Sequence, residues 1–196
     1  MIHTARTVLA AGALAALAGC VSLGGTKPPA SLITLSPVLQ SPAGSGASGN
    51  AERTLAILEP EAPARLDVVR VPVQVDDTSV AYLQDAMWVD KPARLFRALL
   101  AETIRTRTGR VVIDSDDPAL VANARLRGTL RDFGYDARSS SAVVRFDAVR
   151  ELGHGEIETR RFESVVSGIP AMPAPVGDAL NQAANEVAAQ VADWLG

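Results

Sequence analysis

The chain has 196 residues, 47% of them hydrophobic, and a net charge of −3, which fits one domain with extensions better than two domains. Lysine is confined to Lys27 and Lys91 and aromatic residues make up 4%, so the chain lacks both the basic field and the stacking platforms that nucleic-acid binding draws on. Its single cysteine, Cys20, excludes an internal disulfide and any cysteine-based metal cage.

The opening reads MIHTARTVLAAGALAALAGC. Arg6 sits in a short segment without acidic residues, and an apolar run from Val8 to Ala18 follows. That run has the length of a signal-peptide core and is too short to span a membrane. Leu17-Ala18-Gly19-Cys20 resembles the lipobox of bacterial lipoproteins. The resemblance implies that residues 1–19 are removed as a signal peptide, that Cys20 becomes the mature N-terminus, and that its sulfur carries a diacylglycerol. Each buried CH₂ contributes about 0.8 kcal/mol, so two or three acyl chains (palmitate-type) anchor stably where one would not. Val21, rather than an acidic residue, follows the cysteine. By resemblance this favours the outer membrane, with the domain facing the periplasm from the inner leaflet.

Residues 20–30 read as a lipidated N-terminus and solvated tether, with Gly24-Gly25 and Pro28-Pro29. A domain is expected over 31–196. Ser31–Ser36 alternates as a short strand, and the low-complexity stretch near 41–52 is expected as a flexible loop. Within it Gly44, Gly46 and Gly49 satisfy G-x-G-x-x-G. A dinucleotide site needs a strand before that motif and a helix opening from it, whereas Pro42 precedes it and a strand-like segment follows. The spacing excludes a nucleotide site.

Strands are expected at Thr54–Glu59, Val69–Val75 and Val80–Leu83. Asp90 then reads as an N-cap, with Pro92 in the first turn of a helix to about Arg107. Leu95, Phe96, Leu99, Leu100, Thr103 and Ile104 define its apolar face, leaving Arg94, Arg97, Glu102 and Arg105 in water. Gly109 is the expected stop, and Arg110–Ile113 a strand. Ala124–Tyr135, Ala142–Leu152 and Ile157–Ser167, joined by the turns Asp136–Ser141 and Gly153-His154-Gly155, predict an antiparallel meander. Val144, Phe146 and Ala148 should point one way, and the interspersed arginines and carboxylates should pair across strands on a solvated face. A last helix over Val176–Leu195 carries an inward stripe of Leu180, Ala184, Val187, Val191 and Trp194. The fold class is therefore α+β: a two-layer domain, a mostly antiparallel sheet with two amphipathic helices packed on it.

No catalytic, cofactor-binding or metal-binding residue set emerges. Once the signal peptide is removed His154 is the only histidine, between two glycines of a hairpin turn. The acidic run Asp114-Ser115-Asp116-Asp117 lacks the Gly and Glu that a calcium loop requires at its sixth and twelfth positions, which hold Ala119 and Arg125. No G-x-S-x-G, H-E-x-x-H or phosphate-loop motif is present.

Val80-Ala81-Tyr82-Leu83, Met87-Trp88, Pro92 and the leucine-rich helix resemble the ABC-type transport auxiliary lipoprotein family, a group similar to paraquat-inducible protein C. In that family a strand carrying a Tyr leads to an Arg-Trp pair before the first helix, where Met87-Trp88 stands here. An early Tyr-Tyr-x-Leu strand is replaced here by Leu32-Ile33-Thr34-Leu35. The resemblance implies a non-enzymatic adaptor that binds the MCE-domain protein of an ABC-type phospholipid transport system and docks it to the membrane, without a cofactor, and with a homo-oligomer left open. Trp88 and Tyr82 are its candidate partner contacts, although a tryptophan ahead of an amphipathic helix is equally a core residue. A stand-alone lipid-binding lipoprotein is the alternative. An envelope glycan enzyme using Asp116, Asp117 and Glu151 is a third.

Overall fold

The computed structural model describes residues 29, 31–115 and 122–196. The signal peptide, Cys20 and the Asp116-Asp117 pair lie outside the described residues. A 3₁₀ turn at Ala51–Arg53 leads into β1 (Thr54–Ile57), followed by β2 (Arg70–Gln74), β3 (Val80–Met87), α1 (Pro92–Thr108), β4 (Val111–Ile113), β5 (Ala124–Asp136), β6 (Ser141–Glu151), β7 (Ile157–Ser167) and α2 (Pro173–Leu195).

The sheet is organised around β5. Along one edge it pairs antiparallel with β6, from Arg125 opposite Glu151 to Asp136 opposite Ser141, and β7 pairs antiparallel with β6 in turn. This is the expected meander. The other edge of β5 is shared: β1 lies parallel to its start (Leu55 opposite Ala124) and β2 parallel to its end (Val73 opposite Tyr135). Beyond these, β4 adds parallel to β1 and β3 antiparallel to β2. The α+β, two-layer class holds, with the parallel ladders making the sheet mixed.

Inward residues of β5 alternate through Ala124, Leu126 and Leu130, then continue at Phe133 and Tyr135. The parity changes at a bulge between Leu130 and Asp132. One extra residue there keeps both halves of a long, twisting strand facing the same core. On β6, Ala142, Val144, Phe146 and Ala148 face the same way.

Both helices cover that face. Pro92 occupies the first turn of α1, and Gly109 ends it at φ 65°, its N–H donating to the Arg105 carbonyl at 3.0 Å. Only glycine adopts that conformation at no steric cost. The N-cap is Lys91, one residue past the expected Asp90, whose carboxylate instead accepts the Lys91 N–H at 2.7 Å. Phe96 docks α1, its ring 6.1 Å from Phe133 and 5.3 Å from Phe146, while Trp88 lies 5.3 Å from Phe133. Such edge-on pairs add about 0.5–1.5 kcal/mol beyond their buried area. Arg97 departs from the expectation: it is buried, and its Nε–H donates to the Ile57 carbonyl at the end of β1, at 2.9 Å. A long aliphatic stem lets a residue beside the apolar stripe lie inside while its head finds a backbone acceptor.

On α2, Leu180, Ala184, Val187 and Val191 are buried as expected, and the half-buried Trp194 packs on Phe162. The last turn of α2 has no basic residue of its own. Arginines from elsewhere supply the cations: Arg107 donates to the Ala189 carbonyl, Arg150 to that of Trp194, and Arg110 to that of Leu195. They satisfy terminal carbonyls and oppose the negative end of the helix dipole.

Gly128 has room for nothing larger. A Cβ there would lie 2.2 Å from the Asp147 carbonyl oxygen and 2.7 Å from the Phe146 ring. Gly128→Ala is expected to destabilise the domain by about 1–3 kcal/mol, measured as a lowered urea midpoint at unchanged m-value.

Candidate docking face and tether

Tyr82 is half-buried on the edge strand β3, and the Arg70 guanidinium lies 4.3 Å over its ring. Trp88, the other candidate contact, is 1% exposed. It belongs to the aromatic core, so its indole presents no surface to a partner in this fold, and its Nε1 has no hydrogen-bond acceptor among the described residues. Glu151, the one described carboxylate of the glycan-enzyme reading, is committed to Arg127 at 2.5 Å. His154 stands in solvent at the hairpin tip, 3.7 Å from Glu156. Among the described residues no three metal-ligating side chains converge.

The helices leave the opposite face of the β5–β6–β7 meander open, and that face is laid out in cross-strand ion pairs. Asp147 on β6 sits between Arg131 on β5 (2.7 Å) and Arg161 on β7 (2.5 Å). One step along, Arg145 pairs with Asp132 and with Glu163, and Arg65 reaches Asp132 from the loop after β1 at 2.7 Å. The period of two on β6 and β7, with the β5 bulge that turns both Arg131 and Asp132 outward, places these residues on one side. Hydrogen bonds from Arg161 and Arg131 hold the Asp147 carboxyl down at about 2, well below the usual carboxylate value. A shallow groove of about 320 Å³ opens between this face and the β2–β3 hairpin, lined by Arg65, Gln74, Asp132, Arg138 and Arg145. A face of this kind offers orientation-specific charge contacts and holds no convergent acid–base pair.

A second feature is a strap along the helices. The stretch Ser31–Ser36, expected as a strand, makes one parallel bridge, Ile33 to Trp88, with the Ile33 N–H on the Met87 carbonyl and the Val89 N–H on the Ile33 carbonyl. From there the chain runs along α2. Asn181 Oδ1 accepts the Ser36 N–H at 2.8 Å, Asn185 Oδ1 accepts the Val38 N–H at 2.9 Å, and Asn185 Nδ2 donates to the Ser36 carbonyl at 3.0 Å. It then crosses to α1, where Glu102 accepts the Ser41 N–H at 2.6 Å. That bond and the neighbouring Arg105 hold the Glu102 carboxyl below its ordinary value. Glu102, expected in water, is thus a strap anchor. The Asn181/Asn185 pair, spaced by four on an otherwise alanine-rich helix, is the signal that could have announced it. Gly177 belongs to the same contact: a Cβ there would meet the Ile33 side chain at 3.3 Å.

The domain is thus a mixed sheet with both helices on one face, a charged open face opposite, and the stretch from Ile33 to Ser41 strapped along the helices. The chain belongs to the family of ABC-type transport auxiliary lipoprotein components, whose model matches residues 34–192. This is a lipoprotein family of the bacterial envelope and not a known enzyme family. The fold is shared with the crystal structure of an uncharacterized protein (TM-score 0.66, 14% identity, 85% of this chain and 100% of that one). It is shared too with a Xanthomonas campestris protein of family DUF330 (TM-score 0.64, 16% identity, 85% and 92%). Among curated proteins none matches the sequence.

The Asp147 bonds carry a pH signature. A carboxyl whose folded value is depressed contributes stability that is complete above the unfolded value of 3.8 and is lost as pH falls towards about 2. Wild-type stability should therefore fall across that window, and Asp147→Asn should be less stable at neutral pH but flatter below pH 4, read from urea midpoints at successive pH values.

Proposed function

We propose that this chain is the membrane-anchored adaptor of an ABC-type MCE phospholipid transport system. Its acyl chains on Cys20 lie in the periplasmic leaflet of the outer membrane, and its domain docks the MCE-domain protein in the periplasm. The observation that carries the reading is the family match over 34–192 directly behind a lipobox whose cysteine is the only one in the chain.

Two further features support it. The middle of the open sheet face carries charged side chains already paired with one another, flanked by Val143, Val149 and Val165, which suits a wet, polar interface whose specificity comes from charge complementarity. The space between helices and sheet is filled by Phe96, Phe133, Phe146, Leu100 and Leu180, all nearly or fully excluded from solvent. An adaptor role thus accounts for the packed interior better than acyl-chain carriage between helix and sheet.

Crosslinking in intact envelopes followed by pull-down should recover an MCE-domain protein with the wild-type chain. Cys20→Ser should shift the chain from the sedimenting to the soluble fraction and lower that recovery at least about tenfold, in line with loss of an anchor that needs acyl chains. Repeated recovery of no MCE protein from wild-type envelopes would overturn the partner assignment.

A further inference from the structure

We propose that the strap fixes the polarity of the domain on the membrane: the end bearing the start of α2 and the β2–β3 hairpin faces the bilayer, and the β6–β7 hairpin points away. The proposal rests on the lipid-anchor reading above and adds to it the bilayer-facing surface.

Tyr135, near the end of β5, donates from its hydroxyl to the Ile169 carbonyl, and the Ile169 N–H donates to the Ser140 carbonyl. The β5–β6 turn and the entry to α2 therefore share one end of the domain. The β2–β3 hairpin joins them there, since Gln74 pairs with Asp136. From that end α2 runs 23 residues, about 34 Å, to Leu195, which receives Arg110 beside the start of β4. The strap runs the same way, from Ile33 against Gly177 to Ser41 on Glu102 and Thr106. The chain N-terminal to Ile33 therefore leaves from the other direction, where Ser31 and Leu32 border a groove with Pro173 and Ala174 at the start of α2.

The tether leaves little reach with which to undo this. Cys20 lies thirteen residues before Ile33, a reach of at most roughly 45 Å. Wrapping past a helix about 34 Å long to turn the domain over would consume most of that reach. The side-chain anchors at Asn181, Asn185 and Glu102 remove the slack that a longer loose segment would supply.

The chemistry of this end fits a surface held at the bilayer without insertion. Leu32, Val75, Val80 and Met172 are exposed there, each between 43% and 52%, but they are scattered among exposed Asp76, Asp77 and Asp178, of which Asp77 is paired with Arg138. Carboxylates repel an anionic headgroup layer over about a Debye length, near 10 Å at 0.1 M salt. The ion-paired sheet face, the docking surface of the reading above, then stands roughly upright on the membrane.

The test uses the full-length lipoprotein in phosphatidylethanolamine–phosphatidylglycerol vesicles. With the Cys20 sulfur in a thioether, an introduced Thr78→Cys or His154→Cys is the only reactive thiol and takes a fluorescent donor, with the acceptor on the lipid headgroups. With the two sites about one helix length apart, transfer from position 78 should exceed that from position 154 at least about twofold. Asn181→Ala/Asn185→Ala, whose folding is checked by its thermal melt, should shrink the difference by releasing the strap. Equal or reversed transfer in vesicle-bound protein overturns the polarity while leaving the anchor intact. An undiminished difference in the double variant overturns the role of the strap. Failure of the wild-type chain to float with vesicles overturns the anchor reading, and this inference with it.

Discussion

Every other strand of this domain takes its position, directly or through one neighbour, from the backbone of β5. That strand is 13 residues long, longer than its other edge can match with one partner. Two short strands share that edge, β1 at one end and β2 at the other, while the stretch between them stays in contact through the Glu61–Thr129 bridge. A parallel partner cannot be reached by a tight turn, so the chain between must cross over the sheet. Here α1 makes that crossing between β3 and β4, and its Phe96 meets Phe133 of β5 and Phe146 of β6. Hydrogen bonding along one strand and the aromatic contacts over it are thus the same constraint in two directions. Gly128 lies where they meet, with the Phe146 ring in the space that a side chain would take.

With both helices committed to one face, two surfaces of different character remain. The outer side of the helices receives the strap, through amides on α2 and a carboxylate on α1. The open sheet face receives arginines and carboxylates in alternation. Neither surface resembles a catalytic cleft. On the sheet face the strongest electrostatic perturbation belongs to a carboxylate already neutralised by two guanidinium groups. Perturbed ionisation of that kind reflects structural pairing as readily as function.

Much of this organisation was legible in the sequence, and the reasons differ by element. The meander could be read because β5, β6 and β7 are consecutive, alternate with period two and are joined by turns rich in Gly, Ser and Asp. Its final strand, Ile157–Ser167, falls on the expected residues. Both helices were legible from apolar spacing, and α1 also from Pro92 at its start and Gly109 at its end; α2 opens at Pro173, three residues before the expected Val176, because a proline's missing N–H is no loss in a first turn. The parallel pairing of β1 and β2 on one edge of β5 was not, because register between strands far apart in sequence is decided by tertiary packing. Arg97 was misplaced for a related reason: helical spacing puts it at the margin of the apolar stripe, and only the Ile57 carbonyl across the interface decides that it lies inside. In β3 the chain bulges between its pairings at Tyr82 and Met87, with Asp85 at φ 54°. Within Leu83–Ala86 only Asp85, a residue type that tolerates the left-handed region, marks it. Trp88 remained ambiguous in sequence, since a partner anchor and a core indole obey the same hydrophobic pattern. The strap was hidden because its anchors are side-chain bonds between segments more than 60 residues apart.

The near absence of lysine bears on the docking face. A guanidinium presents a planar fork of donors, so one arginine can hold a carboxylate in a fixed orientation or bridge two of them. Arg161 reaches both oxygens of Asp147, at 2.5 and 2.8 Å, and Arg145 joins β5 to β7 by pairing with Asp132 on one side and Glu163 on the other. An ammonium is a point charge and would satisfy the same carboxylates without fixing their geometry. Single exposed pairs contribute little to stability, about 0–1 kcal/mol, so the accumulation of such pairs on one open face is poorly explained as reinforcement of the fold. Its consequence is a rigid pattern of alternating charge, set across three strands, that a complementary surface can meet without first ordering long side chains. In the adaptor role proposed above, that preorganisation would lower the entropy lost on docking, and an acylated N-terminus would already restrict the orientations left to search.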